Sequence, residues 1–572
     1  MRTRERPDAD GRFSVAVGVN PVDQTVIDTE GASIRAFDIG NLGNATGGQV
    51  AVPPQLLDIK ARDVGQIFGL AFDTGAANGV PNLYAAATSK FGLQIVGGSD
   101  AKGVPTRLKT GSPGAKFMDG QFGGLAGAGP GSVYKLDGAT GSVSVFANIA
   151  NTGPALGGIA IDAKSRSLYV SDLDSGIIHR FALDTADAAP ATSGAAMFDH
   201  GVSARPAQKL EAIADDNRKL DLSSAAFKPA DPATWGVTQA ERRVEALAVH
   251  DGRLFYGVAS GPEIWSVGLA ADGTFASDAR LEAPIKTEHA GSAITSLDFD
   301  ANGRMIVALR GETRSPYDYQ RFVDAESGDV LRLSLEQPND PSTPGLWSAQ
   351  PESYAIGSAA GHHGASGGVA LGAAYDAHGA ADRNRCTGSV IATGDALNVA
   401  NATSVNGTAI VPGDAVRPAT TATALVEFDS RQNDAGLSGH VGGVAVLRRL
   451  SASPAVEHVA VLLSPTGKRC RGVRPACVPS AARADRCSSP TGAPTRRAAA
   501  PPRPPGAAGR CGSSVHVWLC PPVQGWSRSV RLRFPWSQRP LSSDQSGRYS
   551  FSSQMSAAGP TKRRRSCMAG AK

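Results

Sequence analysis

Two adjacent imidazoles, His362 and His363, flanked by Gly361 and Gly364, are the sharpest metal-ligating signal in the chain. On a strand, neighbouring side chains point to opposite faces, but a glycine-flanked loop lets both turn to one point, and neutral imidazole suits Zn, Cu or Fe. An ordinary exposed loop accounts for the same residues. A second cluster, Ser171-Asp172-Leu173-Asp174-Ser175-Gly176, alternates oxygen ligands like a calcium loop but lacks the remaining ligands and the terminal Glu. Turn preferences favour Asp side chains bonded to the local backbone there. Arg310-Gly311-Glu312-Thr313-Arg314, followed by Pro316-Tyr317-Asp318-Tyr319, reads as a ligand-facing rim or as a solvated charged insert. Other chemistries lack their signatures. There is no GxSxG elbow and no HExxH helix, and the glycines of 123–129 do not open a helix after a parallel strand. No catalytic residue follows from the sequence.

The elements that would position these side chains recur along the chain. A short apolar strand ending in Asp is followed by a polar turn, a strand with Tyr or Phe, and an alternating strand. Gly158-Ile159-Ala160-Ile161-Asp162, Ser167-Leu168-Tyr169-Val170-Ser171-Asp172 and Gly176-Ile177-Ile178-His179-Arg180-Phe181 make one copy. Similar copies begin at Ala246 and Ile294, with Asp251-Gly252 and Asn302-Gly303 as hairpin turns. Looser copies begin at Phe68 and Gly368, with fourth strands expected at 143–147 and 441–446. Five such units imply an all-β chain of four-stranded sheets around an axis, a β-propeller. Ile34-Arg35-Ala36-Phe37-Asp38 resembles a third strand without its first two; if the carboxyl end supplies the missing pair, six blades close as a ring. The excess length falls in inserts at 97–130, 184–243, 311–327 and 394–420, and 207–226 is the best helix candidate. Trp235, Trp265 and Trp347, about one per blade, suit packing between strands.

This strand rhythm, most plainly Leu168-Tyr169-Val170-Ser171-Asp172, resembles the NHL and SMP-30/gluconolactonase class of propellers over about residues 65–335, and also resembles exported bacterial propellers. The resemblance implies lactone hydrolysis at a divalent metal, Ca or Zn, held by carboxylate and amide groups at the mouth of the channel. Only Glu245 falls where such a carboxylate is expected; Gly158, Thr295 and Gly367 occupy the corresponding positions. The metal candidates are therefore Glu245, His362 and His363.

Charge changes sign near residue 464. Residues 465–572 hold 17 Arg, 3 Lys, 2 Asp and no Glu, a net +18, against −13 for residues 1–464. An acidic body argues against nucleic acid, whose affinity is dominated by cationic contacts to phosphate. The tail, 464–572, ends in Lys562-Arg563-Arg564-Arg565 and holds six of the seven cysteines, without CxxC or paired-His spacing. It reads as a basic arm, a disordered extension or an out-of-frame translation. Cys386 is the only cysteine of the body, so no internal disulfide is expected there.

Residues 1–30 read as a flexible segment, with no apolar stretch of the signal-peptide kind behind Met1-Arg2-Thr3-Arg4, and no 18-residue apolar run marks a membrane span. Low Lys and high Gly, Ala, Ser and Thr suit an exported protein whose start lies upstream. The expected molecule is a monomeric propeller over 31–463, a scaffold binding a small molecule or protein at its loop face. The alternative is a metal-dependent lactonase.

Overall fold

The computed structural model describes residues 2–5 and 25–463, apart from 44–46, 77, 100, 102–104, 109–112, 185–190, 193, 195, 314–322, 324–326, 339, 341–344, 358–361, 383–387, 398–403, 418–421, 423, 433–439 and 449–457. The basic tail, Cys386, Gly361, Arg314 and the aromatic stretch 316–319 lie outside the described residues. Among the described residues, six sheets of four or five strands carry the fold.

The first blade runs from Ile67–Asp73 outward through Asn82–Ala87 and Ser132–Leu136 to Val143–Asn148. The second, third and fourth begin at Leu156–Asp162, Val244–His250 and Ala293–Phe299, and each adds its next three strands in chain order. Alternation explains these elements: second strands such as Ser167–Asp172 and Met305–Arg310 are buried throughout, because both faces meet neighbouring blades. Inner strands pack each against the next around the ring, Val444–Arg448 against Ile67–Asp73 included. The chain is a six-bladed β-propeller.

The sixth blade joins the two ends of this ring. Val444–Arg448 and His458–Leu463 pair antiparallel, and the second of these pairs with Ala32–Asp38, so that Ile34 faces Leu463 and Asp38 faces Val459. Gln55–Lys60 completes the sheet. Two assignments change as a result. Val444–Arg448, expected as a fourth strand of the fifth blade, is the innermost strand of the sixth. The fifth blade instead takes Gly407–Pro412 and Ala424–Glu427 as its third and fourth strands, so the supposed insert 394–420 carries a structural strand. Gln49–Ala51 then adds parallel to Ala424–Glu427, so the N-terminal stretch ties two adjacent blades.

Helix is even scarcer than expected. Over 207–226 there is none beyond the end of Arg205–Ala207; one wide turn, His200–Ala204, precedes it, started by Asp199 accepting from the Gly201 and Val202 amides. Lys209 and Asn217 have positive φ, which breaks helical winding. Within 1–30, Arg2–Glu5 pairs antiparallel with Thr25–Asp28. No helix among the described residues is long and apolar enough to cross a membrane.

The core is six layers between blades. Ala246, Phe255 and Ile264 of the third blade meet Ile294, Val307 and Leu331 of the fourth, and Phe37 of the sixth meets Ile391, Ile410 and Phe428 of the fifth. Polar ties cross the same interfaces: Tyr169 donates to the Gly273 carbonyl at 2.6 Å, and Tyr354 to that of Gly413 at 2.8 Å. Phe37 is 3% exposed. Phe37→Ala should cost about 3–5 kcal/mol in urea unfolding. A chain ending at Leu463 should unfold in one cooperative transition, whereas one ending at Gly443, which lacks two strands of the closing sheet, should not; equal behaviour of the two would refute this closure.

Candidate functional site

In five blades the inner strand slips register against the second strand near its loop-face end. The slips fall between Ile67 and Leu70, Leu156 and Ile159, Val244 and Ala246, Ile294 and Ser296, and Ala365 and Val369. Each bulge releases one or more residues from the ladder and re-aims them. The released residues include Phe68, Gly158, Glu245, Thr295 and Gly367, which form the throat of the channel. Glycine is needed where bulges meet: a Cβ on Gly367, at φ +90°, would lie 2.3 Å from Thr295 Oγ1.

Above the throat is a chamber of about 320 Å³, walled by Trp235, Val237 and Leu173 and floored by Lys90, Glu245 and Arg310. Lys90 comes from the loop after the second strand of the first blade, where Gly92 donates to the Ser89 carbonyl and Gln121 accepts from the Gln94 amide. This loop crosses the channel: Lys90 Nζ donates to Glu245 Oε2 on the third blade, and Phe91 packs against Gly442 beside the sixth. Arg243 Nε donates to the other oxygen of Glu245 at 2.8 Å.

The Glu245 position expected to hold a metal therefore already faces two protein cations. Burial opposes its ionisation, yet Lys90 and Arg243 outweigh it and hold the carboxyl down to about 2. Burial also draws Lys90 below the usual ammonium value, against the pull of Glu245. Arg310 sits beside them, its Nη1 donating to the Ser366 carbonyl at 2.9 Å and its guanidinium 5.0 Å from the centre of the Phe91 ring. Burial lowers it to about 10, opposed by Asp395 and Glu245. Sequence reading selected Glu245 and the 310–314 run but missed Lys90, because no local pattern signals a contact spanning 155 residues, and Arg243, which lies two residues before Glu245 beside the register slip.

The His362-His363 pair lies elsewhere on the loop face, and its rings engage different partners. His362, at φ +55°, donates from Nδ1 to the Gly357 carbonyl at 2.7 Å. His363 Nδ1 meets Asp329 Oδ1 at 2.6 Å, and Arg417 Nη2 meets the same oxygen at 3.3 Å. Glu245, His362 and His363 are not brought together, and among the described residues no three His, Cys, Asp or Glu side chains are arranged around one point as metal ligands. The oxygen-rich turn at 171–176 is a hydrogen-bonded turn: Asp172 accepts from Asn151 and from the Asp174 and Ser175 amides, and Asp174 from Thr152. Trp265 is fully buried, and Trp347 donates to Glu282 at 2.9 Å.

No protein-family model matches the chain, and no curated protein matches its sequence. Among solved structures it is similar to a chain of a nidogen/laminin complex, at 14% identity and a TM-score of 0.26, over 63% of this chain and 89% of that one. It is also similar to the Cps50 (Swd1) β-propeller domain of Myceliophteria thermophila, at 10% identity and a TM-score of 0.28, over 70% of this chain and 96% of that one. The fold assignment rests on the sheets described above.

Glu245→Gln should destabilise the protein by about 3–5 kcal/mol, since it leaves Lys90 buried without its counter-charge. The double variant Lys90→Met/Glu245→Leu should recover most of that loss; a cost under about 1 kcal/mol for the single variant would contradict the buried pair. Because the Glu245 carboxyl is depressed from 4.5 to about 2, its contribution is complete above pH 4.5 and is lost as pH falls toward 2. Urea midpoints across that window should fall less steeply in Glu245→Gln than in the parent.

Proposed function

We propose that this chain is a binding propeller whose loop-face chamber takes a small anionic molecule. The observation that carries this reading is the chamber floor, where Lys90, Arg243 and Arg310 gather about the carboxylate of Glu245, with Glu312 as the other acidic group of the lining. Arg243 is the most accessible of the three cations, with its side chain 28% exposed, and is the group best placed to share its donors with an incoming carboxylate or phosphate. Trp235 supplies an apolar wall for the body of such a ligand. Kinship with the NHL and SMP-30 propellers, and export from the cell, belong to the same reading, supported by the strand rhythm and by the Lys-poor body.

Lactone hydrolysis at a divalent metal is the second reading, favoured by the place of Glu245 at the mouth of the throat. An ion there would have to displace the Lys90 ammonium. That reading requires a metal-specific rise in the unfolding midpoint that disappears in Glu245→Gln.

Calorimetric titration with succinate, citrate and inorganic phosphate tests the binding reading. At least one should bind saturably, and Arg243→Gln should weaken it about 10- to 100-fold, as expected when a charged hydrogen bond is lost. Failure of all three anions to bind, or binding indifferent to Arg243, would overturn it.

A further inference from the structure

We propose that Glu288, His289 and His363 form a site for one divalent transition-metal ion of the zinc class, on the loop face between the fourth and fifth blades. Glu288 and His289 lie on the segment leading into the inner strand Ala293–Phe299, and His363 lies just before Ala365–Gly372. Neighbouring inner strands thus deliver ligands from both sides of one blade interface.

The first support is the orientation of His363. A carboxylate has no proton to give, so the 2.6 Å contact with Asp329 places a hydrogen on Nδ1, and in the neutral ring Nε2 then carries the lone pair. Asp329 is itself held by Arg417, whose Nη2 also donates to the carbonyl of His362, the residue at φ +55°, at 2.8 Å. A carboxylate that fixes the tautomer and ring of a histidine is the usual outer partner of a metal-bound imidazole.

The second support is what Nε2 faces. Glu288 Oε2 lies 3.7 Å away, too long for a hydrogen bond; the contact is an ion pair when the ring is protonated and sets one acceptor opposite another when it is neutral. Two ligands about 2.0–2.2 Å from one tetrahedral ion stand roughly 3.3–3.6 Å apart, so a cation fits this gap with a shift of a few tenths of an ångström.

The third support is His289. Its ring centre lies 5.1 Å from that of His363 at 77°, and its Nε2 is buried without a hydrogen-bond partner. Two ligands are thus in place, and the third lies against them and needs a ring rotation to complete the set. Two imidazoles and one carboxylate leave a fourth position open and favour zinc-class ions over calcium, which takes oxygen ligands.

The test is titration of the full chain, its cysteines alkylated with iodoacetamide, with Co²⁺ followed by absorption and with Zn²⁺ by competition. One equivalent should bind with the intense visible bands of four-coordinate cobalt. His363→Ala should abolish the bands, and Asp329→Asn, which keeps the ligands but not their orientation, should weaken binding about 10- to 100-fold. His378→Ala, an exposed histidine on another loop, should change nothing, and circular dichroism reports whether each variant is folded. Absence of the bands in the parent, or bands that persist in folded His363→Ala or Glu288→Gln, overturns the proposal. So does retention of full affinity by Asp329→Asn.

Discussion

The antiparallel ladder between Ala32–Asp38 and His458–Leu463 is the contact on which the rest of the molecule depends. A propeller has no single core; each blade buries its faces against two neighbours, so a ring left open exposes two apolar faces at once. Here the closing sheet takes two strands from each end of the body. Gln49–Ala51 extends the hold to the fifth blade, placing the N-terminal stretch across two interfaces. Closing a loop of this length costs only logarithmically in chain entropy, while the sheet gains its antiparallel ladders and the apolar layers on both of its sides.

Closure fixes the radius at which six inner strands meet, and that radius sets the chemistry of the throat. Side chains converging on one axis crowd each other, and the bulges with their glycines at 157–158 and 367–368 relieve the crowding. Where the bulge residue is not glycine, it is turned into the channel. Glu245 therefore enters the throat through a register slip, and Lys90 reaches it from a loop with its own anchors. The same geometry allows three positive groups to share so small a space, because a carboxylate and the faces of Phe68 and Phe91 lie between them.

Much of this fold was legible in the residues. Alternating strands, their Asp and Tyr punctuation and the orphan strand at Ile34 led to six blades and to closure by the carboxyl end. Outer strands were harder to see: Glu352–Ser353 is only two residues long, and Arg280–Pro284 is partly exposed, so neither carries an apolar alternation. The fifth blade was misread because Gly407–Pro412 is embedded in a stretch rich in small polar residues. The partners of Glu245 and His363 were not legible at all. Lys90 and Asp329 look like ordinary surface charges until register and loop path bring them inward.

The two charged centres of the loop face solve the cost of a buried anion differently. At Glu245 the counter-charge is covalently part of the chain, so the carboxylate stays ionised without help from solution. At His363 the carboxylate of Asp329 is matched by Arg417, and Nε2 of the neutral ring faces Glu288 across 3.7 Å. Such an arrangement is relieved by a proton on the ring, by a cation in the gap or by water that screens it. Glu288 is 79% exposed, which lets water do so in the empty site, whereas the His289 nitrogen is shielded and has no such recourse. The throat thus carries the counter-charge of Glu245 within the chain and keeps donors of Arg243 for an anion, whereas the His363 centre turns acceptors toward the gap that the proposed cation would fill.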